Sequence, residues 1–208
     1  MTRNSPQEQR TDAARRMLEA AKRLFAERGY DGVSIRDIAE AAEVSKANVF
    51  HHYASKWALY QAVMEHCAAD FSALLAEQPR ADQGTAQVLA CYTAAHLRCL
   101  LEDPDAARLF TRQLIDQADG EGRALAENLV AQNYQQALAR IQELQADGRL
   151  RGDTDPALLA LLLGGVNMAI FQLRNVLPRL AEHDPLEDPD AFAEGIVKLL
   201  IDGILPRE

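Results

Sequence analysis

The sequence contains few cysteines. There are three in 208 residues, Cys67, Cys91 and Cys99. Small secreted domains are stabilised by closely spaced cysteines in even number, so this sequence is not expected to belong to that class. Residues 1–12 are polar and lack the apolar core of a signal peptide, which also favours a cytoplasmic location.

Motifs of common enzyme classes are also missing. The chain has no G-x-S-x-G, no H-E-x-x-H, no phosphate-binding glycine loop and no dinucleotide-binding fingerprint. We therefore expect no enzyme, no catalytic residues and no cofactor. Alternating apolar and polar runs, and the turn dipeptides that join strands into hairpins between such runs, are missing too, which predicts an all-α fold.

Charged residues are absent from one long segment, residues 156–173. Its 18 residues include Pro156, Gly164, Gly165, Asn167 and Gln172, and a membrane-spanning helix needs about 20 predominantly apolar residues. The segment therefore predicts a buried helix and no membrane partner. Because it is apolar on nearly every face, we expect one face on the core and the other on a partner subunit. A central core helix bent at the two glycines is the alternative.

Positive charge is scarce overall but unevenly distributed. The net charge is −9, yet residues 1–56 hold ten Lys and Arg against eight Asp and Glu. Residues 57–208 hold twelve against 23. A neutral to basic head on an acidic body is a weak indication that the head binds a polyanion, and chance is the alternative explanation.

The helical pattern begins with an amphipathic stripe over residues 14–25, which Gly29 ends. Ser34 and Ser45 are predicted N-caps of two short helices, and Ser55 begins a longer helix that ends near Pro79. Five further helices are predicted near residues 84–102, 104–117, 121–147, 156–178 and 189–205. Asp-Pro pairs begin three of them. Turns are predicted at 119–122 and 147–155, and an acidic linker at 183–188.

The most informative segment is residues 34–53, SIRDIAEAAEVSKANVFHHY. Two short helices joined by a turn of three or four residues are typical of a helix-turn-helix, whose second helix enters the DNA major groove. We expect Lys46 and Asn48 to point away from the side set by Val49 and Phe50. Asn can bind an adenine edge, and Lys a guanine or a phosphate. The alternative for each residue is an ordinary solvated surface.

Residues 24–63, LFAERGYDGVSIRDIAEAAEVSKANVFHHYASKWALYQAV, resemble the DNA-binding domain of TetR/AcrR transcriptional regulators. The resemblance implies a DNA-binding domain over residues 11–71 and a C-terminal ligand-binding and dimerisation domain over 80–208. It also implies a homodimer, which we assign to the last two helices, 156–178 and 189–205. The expected partners are a double-stranded DNA operator and a small-molecule effector.

Carried over position by position, the resemblance implies a set of DNA contacts on both motif helices and the next helix start. They are Ser34, Arg36, Ser45, Lys46, Ala47, Asn48, His51, His52 and Lys56. Tyr53 matches a buried aromatic residue. Three positions depart from the usual pattern: Glu43 and Ala47 stand where glycine is common, and Phe50 replaces a tyrosine. A positive φ at Glu43 would cost roughly 1 kcal/mol.

The effector site is expected between the helices of residues 84–177, whose apolar side chains favour a lipophilic compound. The candidate contacts are His96, Phe110, Gln113, Tyr134, Asn167, Phe171 and Arg174. Arg174 is suited to an acidic head group, or else lies at the surface or the dimer rim. The expected function is a ligand-responsive regulator, a repressor released from a palindromic operator, with activation as the alternative.

Two other interpretations of the function stay open. Cys91, His96 and Cys99 share one predicted helix, which suggests a metal- or thiol-responsive regulator of the same fold. Their spacing does not favour one compact site, and structural zinc takes four ligands, so no metal site is predicted. The other alternative is a helical interaction module that does not bind DNA.

Overall fold

A computed structural model describes residues 6–75, 84–115, 121–177 and 186–202. Over these ranges the protein contains helices and turns and no strand, which confirms the all-α prediction. The helices are α1 (Pro6–Arg28), α2 (Ile35–Ala41), α3 (Lys46–His52), α4 (Lys56–Leu75), α5 (Thr85–Glu102), α6 (Pro104–Ile115), α7 (Glu121–Ala146), α8 (Pro156–Leu173) and α9 (Pro189–Asp202).

The predicted helix boundaries of the N-terminal region are confirmed. Gly29 follows α1 with φ 74°, a left-handed conformation that glycine adopts without strain. The Ser34 side chain accepts a hydrogen bond from the backbone of Asp37, and the Asp37 carboxylate accepts one in return from the Ser34 backbone. This reciprocal capping box begins α2 at the predicted residue.

The chain divides into two compact units. Unit 1 comprises Met1–Ala69 and Pro104–Val130, and unit 2 comprises Asp70–Asp103 and Ala131–Glu208. Helix α6 and the start of α7 thus belong with the N-terminal helices, although the predicted domains place them in the C-terminal part. The reason is burial, because Leu109 and Ala126 complete the core formed by α1 to α4.

Unit 1 has a tightly packed core beneath the two short helices. Met17 and Phe25 of α1, Ile38 of α2, Val49 of α3 and Tyr60 of α4 are all fully buried. Removing side chains of this size from water stabilises a fold by about 1.5–3 kcal/mol each. The core fixes α2 and α3 on one side and leaves their other side to solvent.

In unit 2, α5 packs against α8 and α9. Helix α8 begins at the predicted cap, where Asp155 accepts hydrogen bonds from the backbone of Ala157 and Leu158. Its inner face, which includes Leu159, Leu163 and Asn167, is buried.

The outer face of α8 is exposed in the single chain. Leu161 is 60% exposed and Leu162 48% exposed, and Leu158 is exposed as well. Although α8 is apolar on nearly every side, the described part of the chain covers only its inner face. Among the described residues, α8 is the one helix long and apolar enough to cross a membrane, and 33% of that segment is buried within the protein.

The later helix ends differ in detail from the prediction. Helix α8 ends at Leu173, five residues before the predicted 178, and residues 174–176 form a turn. Helix α7 begins at Glu121, as predicted, so Glu121 and Gly122 belong to this helix and not to the turn that the sequence predicts at 119–122. The predicted ends of the helices at 117 and 205, and the linker residues 183–185, lie outside the described residues.

Candidate nucleic-acid interface and effector-binding residues

Helices α2 and α3 form a helix-turn-helix within unit 1. The turn between them is tied to α2 by a hydrogen bond of 2.9 Å from the Val44 N–H to the Ala39 carbonyl. Glu43, which stands where glycine is common in the family, has φ 55°, a left-handed conformation that is strained for a residue with a side chain. The Ser45 side chain then accepts from the Asn48 N–H at 3.1 Å and begins α3.

The seven residues of α3 divide into an outer and an inner side. At about 100° per residue, positions 46, 47, 50 and 51 fall within a stripe about 140° wide. All four residues of this stripe are exposed: Lys46, Ala47, Phe50 and His51. We call these four residues the outer stripe of α3. Asn48 and His52 lie on the other side and are partly buried, next to the fully buried Val49.

This arrangement corrects the predicted orientation of Phe50. Phe50 does not share the packed side of Val49 but is 46% exposed. Its ring lies beside Lys46, whose Nζ is 5.8 Å from the ring centroid, because residues four apart meet on one helix face. Tyr53, which matches a buried aromatic residue of the family, is partly buried and packs against the core of unit 1.

Two further predicted DNA contacts lie at the N-terminus of α2. Ser34 and Arg36 are both exposed. The Ser34 hydroxyl donates to Asp37 Oδ2 at 2.6 Å, and the Ser34 N–H donates to the same oxygen at 2.8 Å. These hydrogen bonds hold the pKa of the Asp37 carboxyl below its ordinary value. Ser34 thus caps α2, and Arg36 is exposed in the first turn of the same helix.

Lys56, at the start of α4, sits on a cluster of aromatic rings. Its Nζ lies 4.2 Å from the Tyr30 ring centroid. The Tyr30 ring meets the Trp57 and Tyr60 rings edge-on, at centroid distances of 5.9 and 5.1 Å. The electron-rich face of the ring attracts the ammonium group, so this contact favours a position of the Lys56 side chain at the start of α4.

In unit 2, His96 and Asn167 form a polar pair between α5 and α8. Asn167 is 0% exposed. Its Nδ2 donates to the Thr93 carbonyl at 2.8 Å and lies 3.0 Å from His96 Nδ1. An amide nitrogen donates, so Nδ1 accepts and the imidazole proton is on Nε2. Burial lowers the pKa of His96 to about 4, so the ring is neutral at pH 7.

One polar atom of this pair has no partner within the described part of the chain. Asn167 Oδ1 is buried and accepts no hydrogen bond there. A buried acceptor without a donor costs about 1–3 kcal/mol. The position therefore suits a donor supplied by a bound molecule or by water.

The structure divides the other effector-binding candidates between the two units. Tyr134 donates to the Ala157 carbonyl, and the Arg174 guanidinium lies 4.3 Å from the Phe171 ring centroid, all within unit 2. Phe110 packs against the core of unit 1, and Gln113 also belongs to unit 1. The effector role of all these residues stays a prediction.

Arg112 of α6 is a residue that the sequence pattern did not reveal. Its Nη1 donates to the Glu27 carbonyl at 3.3 Å, and its guanidinium lies against Gly29. It thereby satisfies an open carbonyl at the C-terminal end of α1. No local signal marks such a contact, because its partners are 85 residues apart.

The alternative metal site finds no support in the side-chain arrangement. Cys99 is buried and Cys91 partly buried on α5. Over the described residues, no three His, Cys, Asp or Glu side chains are grouped so that they could hold a metal ion.

Two family models match the chain. The model described as "Bacterial regulatory proteins, tetR family" matches residues 17–63, which include α2 and α3. The model described as "Tetracyclin repressor-like, C-terminal domain" matches residues 89–196, more than half of the chain.

Curated relatives match over the N-terminal part. The HTH-type transcriptional repressor AcnR of Corynebacterium glutamicum is 33% identical over 95 residues, 46% of this chain and 44% of that protein. The biofilm operon negative transcriptional regulator IcaR of Staphylococcus epidermidis is 35% identical over 52 residues, 25% of this chain and 28% of that protein. The chain thus spans less than half the length of either relative.

Solved structures show the same fold over nearly the whole chain. FadR of Bacillus subtilis, solved in complex with stearoyl-CoA, has a TM-score of 0.69 at 18% identity and covers 92% of this chain and 99% of its own. GusR of Salmonella enterica has a TM-score of 0.66 at 22% identity and covers 91% of this chain and 95% of its own. With the two family models matched in order along the sequence, the chain belongs to the TetR family of bacterial transcriptional regulators.

Proposed function

We propose that this protein is a ligand-responsive, DNA-binding transcriptional regulator that acts in the cytoplasm as a repressor. Residues 11–71 form its DNA-binding domain, and residues 80–208 its ligand-binding and dimerisation domain. The observation that carries the proposal is the outer stripe of α3, which points an amino group, an imidazole and two apolar side chains away from the core of unit 1. An exposed helix of this kind fits the major groove, where side chains meet base edges.

The dimer forms through the exposed apolar faces of α8 and α9. Both helices have exposed leucine side chains in the single chain: Leu158, Leu161 and Leu162 on α8, and Leu199 and Leu200 on α9. Apolar clusters of this kind mark protein contacts. A two-fold dimer places its two α3 helices about 34–36 Å apart, one turn of DNA, and binds a palindromic operator.

The effector is a lipophilic small molecule bound in unit 2 by the His96 and Asn167 pair. Asn167 Oδ1 offers a buried acceptor within a largely apolar helix, which suits a compound with a long apolar part and one donor group. The stearoyl-CoA complex of the similarly folded FadR supports a lipid-like ligand. A coupling of 1–3 kcal/mol would change operator affinity about 5–150-fold.

Affinity selection of genomic DNA fragments by the purified protein at near-physiological salt tests DNA recognition. We expect one enriched palindrome for the wild type and none for a Lys46→Ala/His51→Ala variant with an unchanged circular dichroism spectrum. Arg151→Ala is the control, because it removes an exposed positive charge from the segment before α8. Retained selection by the double variant, or no palindrome for the wild type, would refute the DNA-binding proposal.

Release of the operator DNA from the protein by added compounds tests the effector proposal. Long-chain fatty acids, alcohols and acyl-CoA esters are titrated into the protein–DNA complex while fluorescence anisotropy of labelled DNA is measured. We expect at least one class to release the DNA, and an Asn167→Leu variant to need at least tenfold more of it at unchanged operator affinity. Release at the same concentration in both proteins would remove Asn167 from the effector site.

A further inference from the structure

Phe50 is an unusual residue for an exposed position. It is 46% exposed on a seven-residue helix whose other exposed side chains are short or polar. It lies in the middle of the outer stripe, between Lys46 and His51 in angle, with Ala47 on the same side. In the free protein the ring meets water, so it contributes less to the stability of unit 1 than a buried Phe would.

The chemistry of the ring limits what it can recognise. A phenyl group neither donates nor accepts a conventional hydrogen bond, so it cannot read the polar edge of a base. The major groove presents one apolar group that differs between the bases, the C5-methyl of thymine, and Phe and Ala are side chains that contact it. Lys46, 5.8 Å from the ring, remains free to donate to a neighbouring guanine or phosphate.

We propose that Phe50 is a specificity-determining residue that contacts the C5-methyl group of a thymine in each operator half-site. The proposal rests on the DNA-binding function proposed above and adds a base preference that a polar residue at this position would not give. Burial of one methyl group against the ring is worth about a fourfold change in affinity.

The experiment removes single methyl groups from the DNA. Each thymine of the selected operator is replaced in turn by deoxyuridine, which keeps the pairing edge and loses only the methyl group. Dissociation constants are measured by anisotropy for the wild type and for Phe50→Ala. We expect the wild type to lose about fourfold at one thymine per half-site. Phe50→Ala should bind the thymine and deoxyuridine operators equally, because its side chain ends at the β-carbon and lacks the ring that extends towards the DNA.

The control variant is His51→Ala, the neighbouring residue of the same stripe. It is expected to weaken binding to both DNAs in the same proportion and so to retain the fourfold ratio between them. Circular dichroism confirms that both variants are folded, which we expect because both side chains are exposed.

Two results would overturn the proposal. One is a wild-type protein that binds the operator but is insensitive to deoxyuridine at every position. The other is a Phe50→Ala variant with the same deoxyuridine profile as the wild type. Either result leaves the proposed DNA-binding function standing, whereas a wild-type protein that selects no operator overturns both.

Discussion

At the scale of single residues, we expect two positions to reduce the free energy of unfolding. Glu43 has a left-handed backbone conformation in the turn of the helix-turn-helix. His96 is kept neutral inside unit 2, with a pKa lowered by burial to about 4. The first predicts that a substitution increases stability, and the second that acid decreases it.

Replacing Glu43 by glycine should stabilise the protein. The substitution removes a left-handed strain of roughly 1 kcal/mol, offset in part by the greater freedom of glycine in the unfolded chain. Glu40→Gly is the matched control, since Glu40 is also exposed but lies within α2, where glycine costs about 1 kcal/mol. Urea unfolding of both variants should give opposite signs, and a destabilised Glu43→Gly would contradict the assignment of strain.

Acid should destabilise unit 2 through His96. The unfolded state binds a proton near pH 6.5 and the folded state near pH 4, so stability falls as pH drops through this window. For a folded pKa of about 4 the loss is about 2 kcal/mol at pH 5. His96→Gln should lose less stability than the wild type between pH 7.5 and pH 5 in urea unfolding, and an equal loss in both proteins would contradict this prediction.

At the scale of helices, boundaries depend on short side chains that satisfy the open backbone groups of the first turn. Ser34, Ser45, Ser55 and Asp155 each accept from backbone N–H groups of the helix that follows. Because a cap acts within three residues, the sequence alone identified all four.

The cap of α8 provides a clean test. Asp155→Ala removes the acceptor of two N–H groups and should lower the free energy of unfolding by about 1 kcal/mol. Asp153→Ala removes a carboxylate two residues earlier that pairs with Arg151, both side chains being exposed. Such exposed pairs are worth at most about 1 kcal/mol and often nothing. Equal losses in urea unfolding would show that the cap contributes no more than the surface pair.

At the scale of the whole molecule, apolar side chains of α8 and α9 are exposed in the part of the chain that the structure describes. The described part of the chain leaves Leu161 and Leu162 exposed, although both are as apolar as the buried Leu159 and Leu163 beside them. The same helix thus serves the core of unit 2 and the proposed dimer.

Charge introduced on that face should separate the subunits. The wild type is expected at twice the chain mass of 23.0 kDa, and Leu161→Glu/Leu162→Glu at the mass of one chain, by sedimentation velocity. Ile115→Glu is the control, because Ile115 is 69% exposed on α6 and should leave the dimer intact. A double variant that stays dimeric would place the interface elsewhere.

The sequence by itself determined the helices, their caps and the location of the helix-turn-helix, because these depend on residues within about one turn of one another. The family resemblance marked Glu43 as a position where glycine is common, and the structure shows its left-handed backbone. Only the tertiary structure decided which side of α3 faces outward, that α6 completes the core of unit 1, and that Arg112 closes the end of α1. These features join residues far apart in the chain, and contacts of that kind are set by packing, which no local pattern records.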